Sequence, residues 1–288
     1  MSLRLEMLQV AKLSSKVLEE SVSLVDNFLK NQFDASGGFK NREGKPDLYY
    51  TVFGVDALIS IGSHLPEAKI KNYVESVQRK RDLAFIDYCC LARLCAALKI
   101  SVSGILEGIE TYRCPNGGYH PKKDSNRASA YGCFLAYGAF GDLQSEMVNE
   151  RRLVDALLEL KCPDGGFANE CGMKEGATPA TSAVLTLFRN MGVVKDQEAT
   201  NWLLERVHPM GGFCASPRVP MPDLLSTAVA LHALSGEQVS LNEIKEKCLD
   251  FVDSLWVNDG GFYGHWADEV IDAEYTFYGL LALGHLSL

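Results

Sequence analysis

Asp259-Gly260-Gly261-Phe262, followed by Ile271-Asp272-Ala273-Glu274-Tyr275-Thr276-Phe277-Tyr278-Gly279-Leu280-Leu281-Ala282-Leu283, is the unit from which the rest of the chain is built. It reads as a turn, a loop, an acidic residue and then a helix of small and aromatic residues. Gly-Gly-Phe or Gly-Gly-Tyr also begins at Gly37, Gly117, Gly165 and Gly211, so that successive turns lie 80, 48, 46 and 49 residues apart. A fixed period of this size marks a repeat architecture. The long gap holds one more unit: Phe85-Ile86-Asp87-Tyr88-Cys89-Cys90-Leu91 keeps the acid and the helix but has no Gly-Gly turn. Six units follow, at about 13–62, 63–100, 101–141, 149–192, 196–236 and 242–288.

Each unit pairs two kinds of helix. Segments near 13–30, 67–80, 103–113, 149–161, 196–207 and 242–256 place apolar residues at helical spacing among charges, which predicts one buried face. Segments near 47–61, 87–98, 129–140, 178–191, 223–235 and 272–286 are almost uncharged, which predicts burial on most sides. Six amphipathic helices form an outer ring and six apolar helices an inner ring. This is an all-α toroid of six helical hairpins, and the 288 residues contain no linker that would divide it. The Gly-Gly turns are read as left-handed caps ending the outer helices. Asp47, Asp223 and Asp272 precede inner helices, where Asp serves either as N-cap or as a chemical group.

Composition narrows the function. A net charge of −9 argues against a nucleic-acid partner, because phosphate binding needs a basic face. No apolar run reaches the roughly 18 residues of a membrane span, and the start carries an early acid rather than a secretory signal. Nine cysteines without a Cys-x-x-Cys pair suit reduced thiols. A cytoplasmic location is the expectation.

The Gly-Gly-aromatic turns, the helical hairpins and the acid before each apolar helix resemble the α/α toroid of protein prenyltransferase β subunits and of squalene and terpene cyclases. The resemblance runs from Leu13 onward and is closest to the β subunit of Rab geranylgeranyl transferase. It implies an isoprenoid diphosphate, or another apolar small molecule, as ligand. It also implies a helical-repeat α-subunit-like partner. The family's zinc site is not kept: Asp223 matches its first ligand, but Leu225 and Tyr275 stand where the resemblance implies Cys and His, so no metal is expected. Arg127, in the setting Arg127-Ala128-Ser129-Ala130-Tyr131, is similar to a diphosphate-binding Arg shifted by one residue. Lys122, Lys174, Arg218 and His265 are the other candidates for the head group, and Asp223 and Asp272 for catalysis. Tyr49, Phe53, Tyr88, Tyr131, Tyr275 and Tyr278 are expected to line the isoprenoid site. The cyclase alternative lacks Asp-x-Asp-Asp and would need another acid, such as Asp223, Asp272 or Glu274. A third alternative is a non-catalytic isoprenoid or lipid binder.

Overall fold

The structure is a computed structural model describing residues 2–80, 82–101 and 103–288. The chain enters through α1 (Leu3–Ala11), passes through short turns and α2 (Ser15–Leu18), and then alternates outer and inner helices. The outer helices are α3 (Val22–Gln32), α5 (Glu67–Gln78), α7 (Ile105–Glu110), α9 (Glu150–Leu158), α11 (Gln197–Leu204) and α13 (Lys245–Asp253). The inner ones are α4 (Leu48–Ser60), α6 (Phe85–Leu98), α8 (Ala130–Asp142), α10 (Thr178–Asn190), α12 (Leu224–Gly236) and α14 (Ala273–Leu286). Each inner helix packs on the next, and α14 packs back on α4, so the ring closes. The fold is the all-α toroid expected from the repeat.

The turns are built differently from the helix caps anticipated. The residue ending each outer segment forms an isolated antiparallel bridge with the aromatic after the glycines: Phe33 with Phe39, Arg113 with Tyr119, Lys161 with Phe167, Val207 with Phe213 and Trp256 with Phe262. Inside the first, the Gly37 amide donates to the Asp34 carbonyl at 3.0 Å. The motif is therefore a small hairpin and not a left-handed helix end. Its first glycine does carry positive φ, from +88° to +102° over the five turns. At Gly211 and Gly260 an added Cβ would overlap the carbonyl oxygens of Lys247 in α13 and Leu24 in α3. The turn of one unit thus seats against the first turn of the next outer helix, and Gly260 on α3 closes the outer ring.

The aromatic of each turn points inward and anchors the inner helix of its own unit. The amides of Phe39, Phe167 and Phe213 each donate to a threonine hydroxyl, Thr51, Thr181 and Thr227, at 2.9 Å. Two minimal antiparallel pairs hold the acid beside the aromatic: β1 (Phe39–Lys40) with β2 (Pro46–Asp47), and β3 (Phe213–Cys214) with β4 (Pro222–Asp223). Asp47, Asp223 and Asp272 are N-caps, accepting from the amides of Tyr49, Ser226 and Tyr275 at 2.8, 2.7 and 2.8 Å. The starts of the inner helices share one rim. The Ala130, Thr178 and Leu224 amides donate to loop carbonyls of the following units, Asn169, Ala215 and Gly264.

The helix α1 has no counterpart in the repeat, and the resemblance did not reach it. It lies across the opposite rim, packed on α4, α8 and α14, with Leu3, Met7, Leu8 and Ala11 buried. Two charges pin it. Arg4 Nε is 2.8 Å from one carboxylate oxygen of buried Asp56, whose other oxygen meets Arg93 Nε at 2.7 Å. Glu6 pairs with Arg189 at the end of α10. Buried charges are tolerated when paired in this way. The toroid is thereby closed at the C-terminal ends of its inner helices and open at their N-terminal ends.

Candidate functional site in the central cavity

The inner helices enclose a cavity of about 450 Å³, within the usual range for small-molecule sites. Its upper wall comes from the starts of the inner helices and one rim loop: Tyr49, Tyr131, Ala177, Leu225 and Glu274, with Asn169 from the loop. Below lie Phe134, Ser182, Ala183, Val229 and Tyr278, and the floor is formed by Met7, Thr186 and His232. A side lobe of about 60 Å³, bordered by Phe53, Cys90, Arg93 and Leu135, shares Met7, Tyr49, Tyr131 and Phe134 with the main cavity. A hollow of about 510 Å³ lies outside the ring, between Ser2–Leu5 and the stretch from Gln144 to Glu150. Inner helices border it only at Ala96 and the last turns of α8, and Arg4, Asp142, Glu146 and Glu150 are among the residues that line it.

Among the described residues lining the main cavity, Glu274 is the one carboxylate; Asp142, whose carboxyl burial also raises, borders the side lobe. Burial pushes the Glu274 carboxyl up to about 7, against the hydrogen bond from Tyr49. Tyr49 Oη donates to Glu274 Oε1 at 2.6 Å. Around the pair, burial also raises the Tyr49, Tyr131 and Tyr278 phenols, which remain neutral donors. Tyr49 and Phe53 stack edge-to-face with centroids 4.9 Å apart, and Phe53 lies 5.4 Å from Tyr278. The result is a cup of aromatic faces with one protonatable acid at its mouth. Such faces stabilise a passing cation, and a carboxyl titrating near neutrality suits proton transfer.

Tyr49, Tyr131 and Tyr278 line the cavity as the sequence suggested, and Phe53 lines the side lobe. Tyr88 does not: its ring fills the space above Gly108 on α7, between inner and outer rings. The register of α6 turns it outward, so its assignment to the isoprenoid wall is corrected. Tyr275 is also displaced from the wall. It stands at the rim against Gly264 with the Arg42 guanidinium 5.2 Å from its ring centroid.

Neither Asp223 nor Asp272 faces the cavity. Asp223 spends both oxygens on Ser226, at 2.7 Å to its amide and 2.7 Å to its hydroxyl. Asp272 caps α14 and takes Arg42 Nε at 2.7 Å, while Arg42 also grips Asp268. That fork ties the first unit to the sixth. Burial raises both carboxyls, and these hydrogen bonds oppose it.

The basic candidates sit in loops at the open rim, outside the cavity lining. Arg127 is 61% exposed and pairs with Glu159 at 3.1 Å. Arg218, 78% exposed, pairs with Glu175 at 2.7 Å. Lys122 and Lys174 are exposed. His265 turns Nδ1 back to the Ala267 amide at 3.2 Å. Leu225, at the position where the resemblance implies a zinc-binding Cys, lines the cavity with its side chain. No group of three or more His, Cys, Asp or Glu side chains converges at metal-binding spacing among the described residues. The nine cysteines are free, and burial raises the thiols at the inner wall, Cys89 and Cys90. Met7 and His232 went unnoticed in the sequence: one lies outside the repeat, the other inside an apolar helix. Glu274 was visible only as one of several acids.

No helix among the described residues is long and apolar enough to cross a membrane. No curated protein matches the chain in sequence. Among solved structures, the protein geranylgeranyltransferase-I of Candida albicans, complexed with GGPP, superposes with a TM-score of 0.70 at 12% identity, covering 92% of this chain and 90% of that one. The type II terpene cyclase MstE of Scytonema superposes at 0.65 and 14% identity, covering 96% and 98%. A glycosidase in complex with glucose reaches 0.60 at 11% identity, covering 97% and 98%. Such likenesses carry the fold and leave the chemistry open. A family model, the prenyltransferase alpha-alpha toroid domain, matches residues 5–85, 85–179 and 180–286. Together these stretches span nearly the whole chain, which therefore belongs to the prenyltransferase alpha-alpha toroid family.

Proposed function

We propose that the protein binds an isoprenoid chain in the central cavity and that Glu274 donates a proton to it, in the manner of a cyclase with a non-standard acid. The observation that carries this is the lone carboxyl among the described residues of the main cavity, at the mouth of an aromatic wall, raised to about 7 and held by Tyr49 at 2.6 Å. The proton goes from the Glu274 carboxyl to an alkene or epoxide of the ligand. In an alkene the π pair forms the new C–H bond; in an epoxide an oxygen lone pair forms the O–H bond while the C–O pair leaves to that oxygen. Either way Glu274 is left as carboxylate and a carbocation among Tyr49, Tyr131 and Tyr278. Two neighbours in fold support an isoprenoid ligand by what they hold: GGPP in the geranylgeranyltransferase, and geranylgeranyl dihydroxybenzoate in a variant of the Scytonema cyclase (TM-score 0.62, 15% identity).

The test is incubation with farnesyl and geranylgeranyl compounds, with and without a terminal epoxide. A cyclised product is expected from wild type, with turnover reduced roughly 10²- to 10⁴-fold in Glu274→Gln. Cyclisation that survives in Glu274→Gln would place the acid elsewhere, and binding without turnover would leave a non-catalytic carrier. Zinc takes no part in this proposal. Asp223 is consumed as a cap, Leu225 and Tyr275 offer no metal-binding donor of the kind zinc takes, and elemental analysis of purified protein is expected to find no stoichiometric zinc.

A second function, transfer or capture of an isoprenoid diphosphate, has the rim in its favour. Lys122 and Lys174 project there without an ion-pair partner among the described residues. Arg127 would have to leave Glu159 to join them. It would bring with it the helical-repeat partner that prenyltransferase β subunits use. Calorimetric titration of farnesyl diphosphate into wild type and Arg127→Ala decides it: equal affinities would remove Arg127 from the head-group site.

A further inference from the structure

Two buried polar atoms in the cavity wall have no hydrogen-bond partner among the described residues: Oγ of Ser182 on α10 and Nε2 of His232 on α12. The two residues are 1% and 4% exposed and stand on adjacent inner helices. Folded proteins leave few buried polar atoms unpaired, and such atoms often await a ligand. The rest of the His232 ring is accounted for. Nδ1 lies 3.1 Å from Nε2 of His285. Nε2 lies 3.6 Å from Glu6 Oε1, too far for a hydrogen bond. The negative charge of Glu6 nevertheless favours the tautomer with the proton on Nε2, and Nδ1 then accepts from His285. Burial, with Arg189 nearby, keeps the ring neutral. His232 therefore presents one N–H with no acceptor in reach.

Its depth is the second point. At the α-helical rise, His232 lies about 12 Å along the axis from Leu224 at the start of α12. Glu274 is at the mouth, near the start of α14. Between them the wall is Phe134, Ala183, Val229 and Tyr278. The cavity is thus polar at both ends, with Ser182 and the Tyr278 phenol set among apolar side chains between them.

Resting on the isoprenoid-binding function above, we propose that the ligand carries an oxygen at the end that reaches the floor, a hydroxyl, epoxide or carbonyl that accepts from His232 Nε2–H. The ligand class is an oxygenated isoprenoid, inserted with its oxygen first, rather than a hydrocarbon chain hung from a charged head at the rim.

Farnesol and farnesene, matched in chain and differing in one terminal oxygen, are titrated calorimetrically into wild type, His232→Leu and Ser182→Ala. Wild type is expected to favour farnesol by roughly two- to tenfold, the ratio one hydrogen bond supplies. In His232→Leu the ratio should fall towards one, and Ser182→Ala, about 6 Å nearer the mouth by the helical rise, should leave it unchanged. Thermal unfolding confirms that the variants fold, and Ser182→Ala removes a single atom. A wild type that binds both probes equally would show that solvent serves these groups, which overturns the proposal. A ratio unchanged in His232→Leu would put the oxygen elsewhere and overturn it also. If wild type binds neither probe, the isoprenoid-binding function itself falls and the floor site with it.

Discussion

Removing one oxygen from Tyr49 should shift the titration of Glu274 upward. The Tyr49 hydroxyl donates to Glu274 Oε1 at 2.6 Å, and that bond stabilises the charged carboxylate. Burial is the larger influence and acts the other way, with the result that the group sits near 7. In Tyr49→Phe the ring, its edge-to-face contact with Phe53 and the burial all remain, while the donor is gone. A hydrogen bond to a charged group contributes about 1.5–3 kcal/mol. One pH unit corresponds to about 1.36 kcal/mol, so the Glu274 midpoint should rise by roughly one to two units. Carbon NMR of protein labelled at its glutamate carboxyls measures this directly, with Glu274→Gln identifying the resonance. At neutral pH the carboxyl would pass from about half protonated to almost wholly protonated. A proton-initiated reaction would keep its rate to higher pH, with its alkaline limb moved by the same amount. A Glu274 midpoint in Tyr49→Phe equal to or below that of wild type would refute the reasoning, because it would mean that the hydroxyl does not hold the carboxylate.

Three further outcomes are expected. Gly211→Ala should lower unfolding stability by about 2 kcal/mol or more in urea titration, since its φ is +88° and the new Cβ meets the Lys247 carbonyl. Gly172→Ala, at φ +81° with open space around it, should cost about 1 kcal/mol, and equal losses at the two sites would show that seating against α13 contributes nothing. The protein should lose stability in acid, because burial holds His232 down to about 3 and His285 well below its usual value. The unfolded chain takes up protons below about pH 6.5 that the native state refuses. The stability is therefore complete above that pH and declines as pH falls toward 3, and a decline of the same slope in His232→Leu would count against this source. Met7→Ala should join the main cavity to its side lobe, cost about 2–5 kcal/mol in stability, and relax discrimination between farnesyl and geranylgeranyl chains. Unchanged discrimination would show that Met7 does not form the partition.

The ring was legible in the linear chain because its determinants are local and repeated. The Gly-Gly-aromatic turns, the alternation of amphipathic and uncharged segments and the acid before each inner helix recur at a near-constant period, and a repeat can bury its apolar face only against its neighbours. Asp47, Asp223 and Asp272 read as caps for the same reason, since capping involves residues two or three positions away. What only the tertiary structure decided depends on groups that are distant in sequence. α1 lies outside the repeat, and nothing in Leu3–Ala11 reveals that Asp56 and Arg189 await its charges at the far rim. Tyr88 and Tyr131 look alike in the chain, yet the register of α6 sends one toward Gly108 while α8 directs the other into the cavity. Glu274 is one acid among 37 acidic residues in composition. Closure of the ring carries it against Tyr49, 225 positions away, and the loss of solvent there, a property of the assembled wall and not of any segment, raises its carboxyl into the range where a proton can be exchanged.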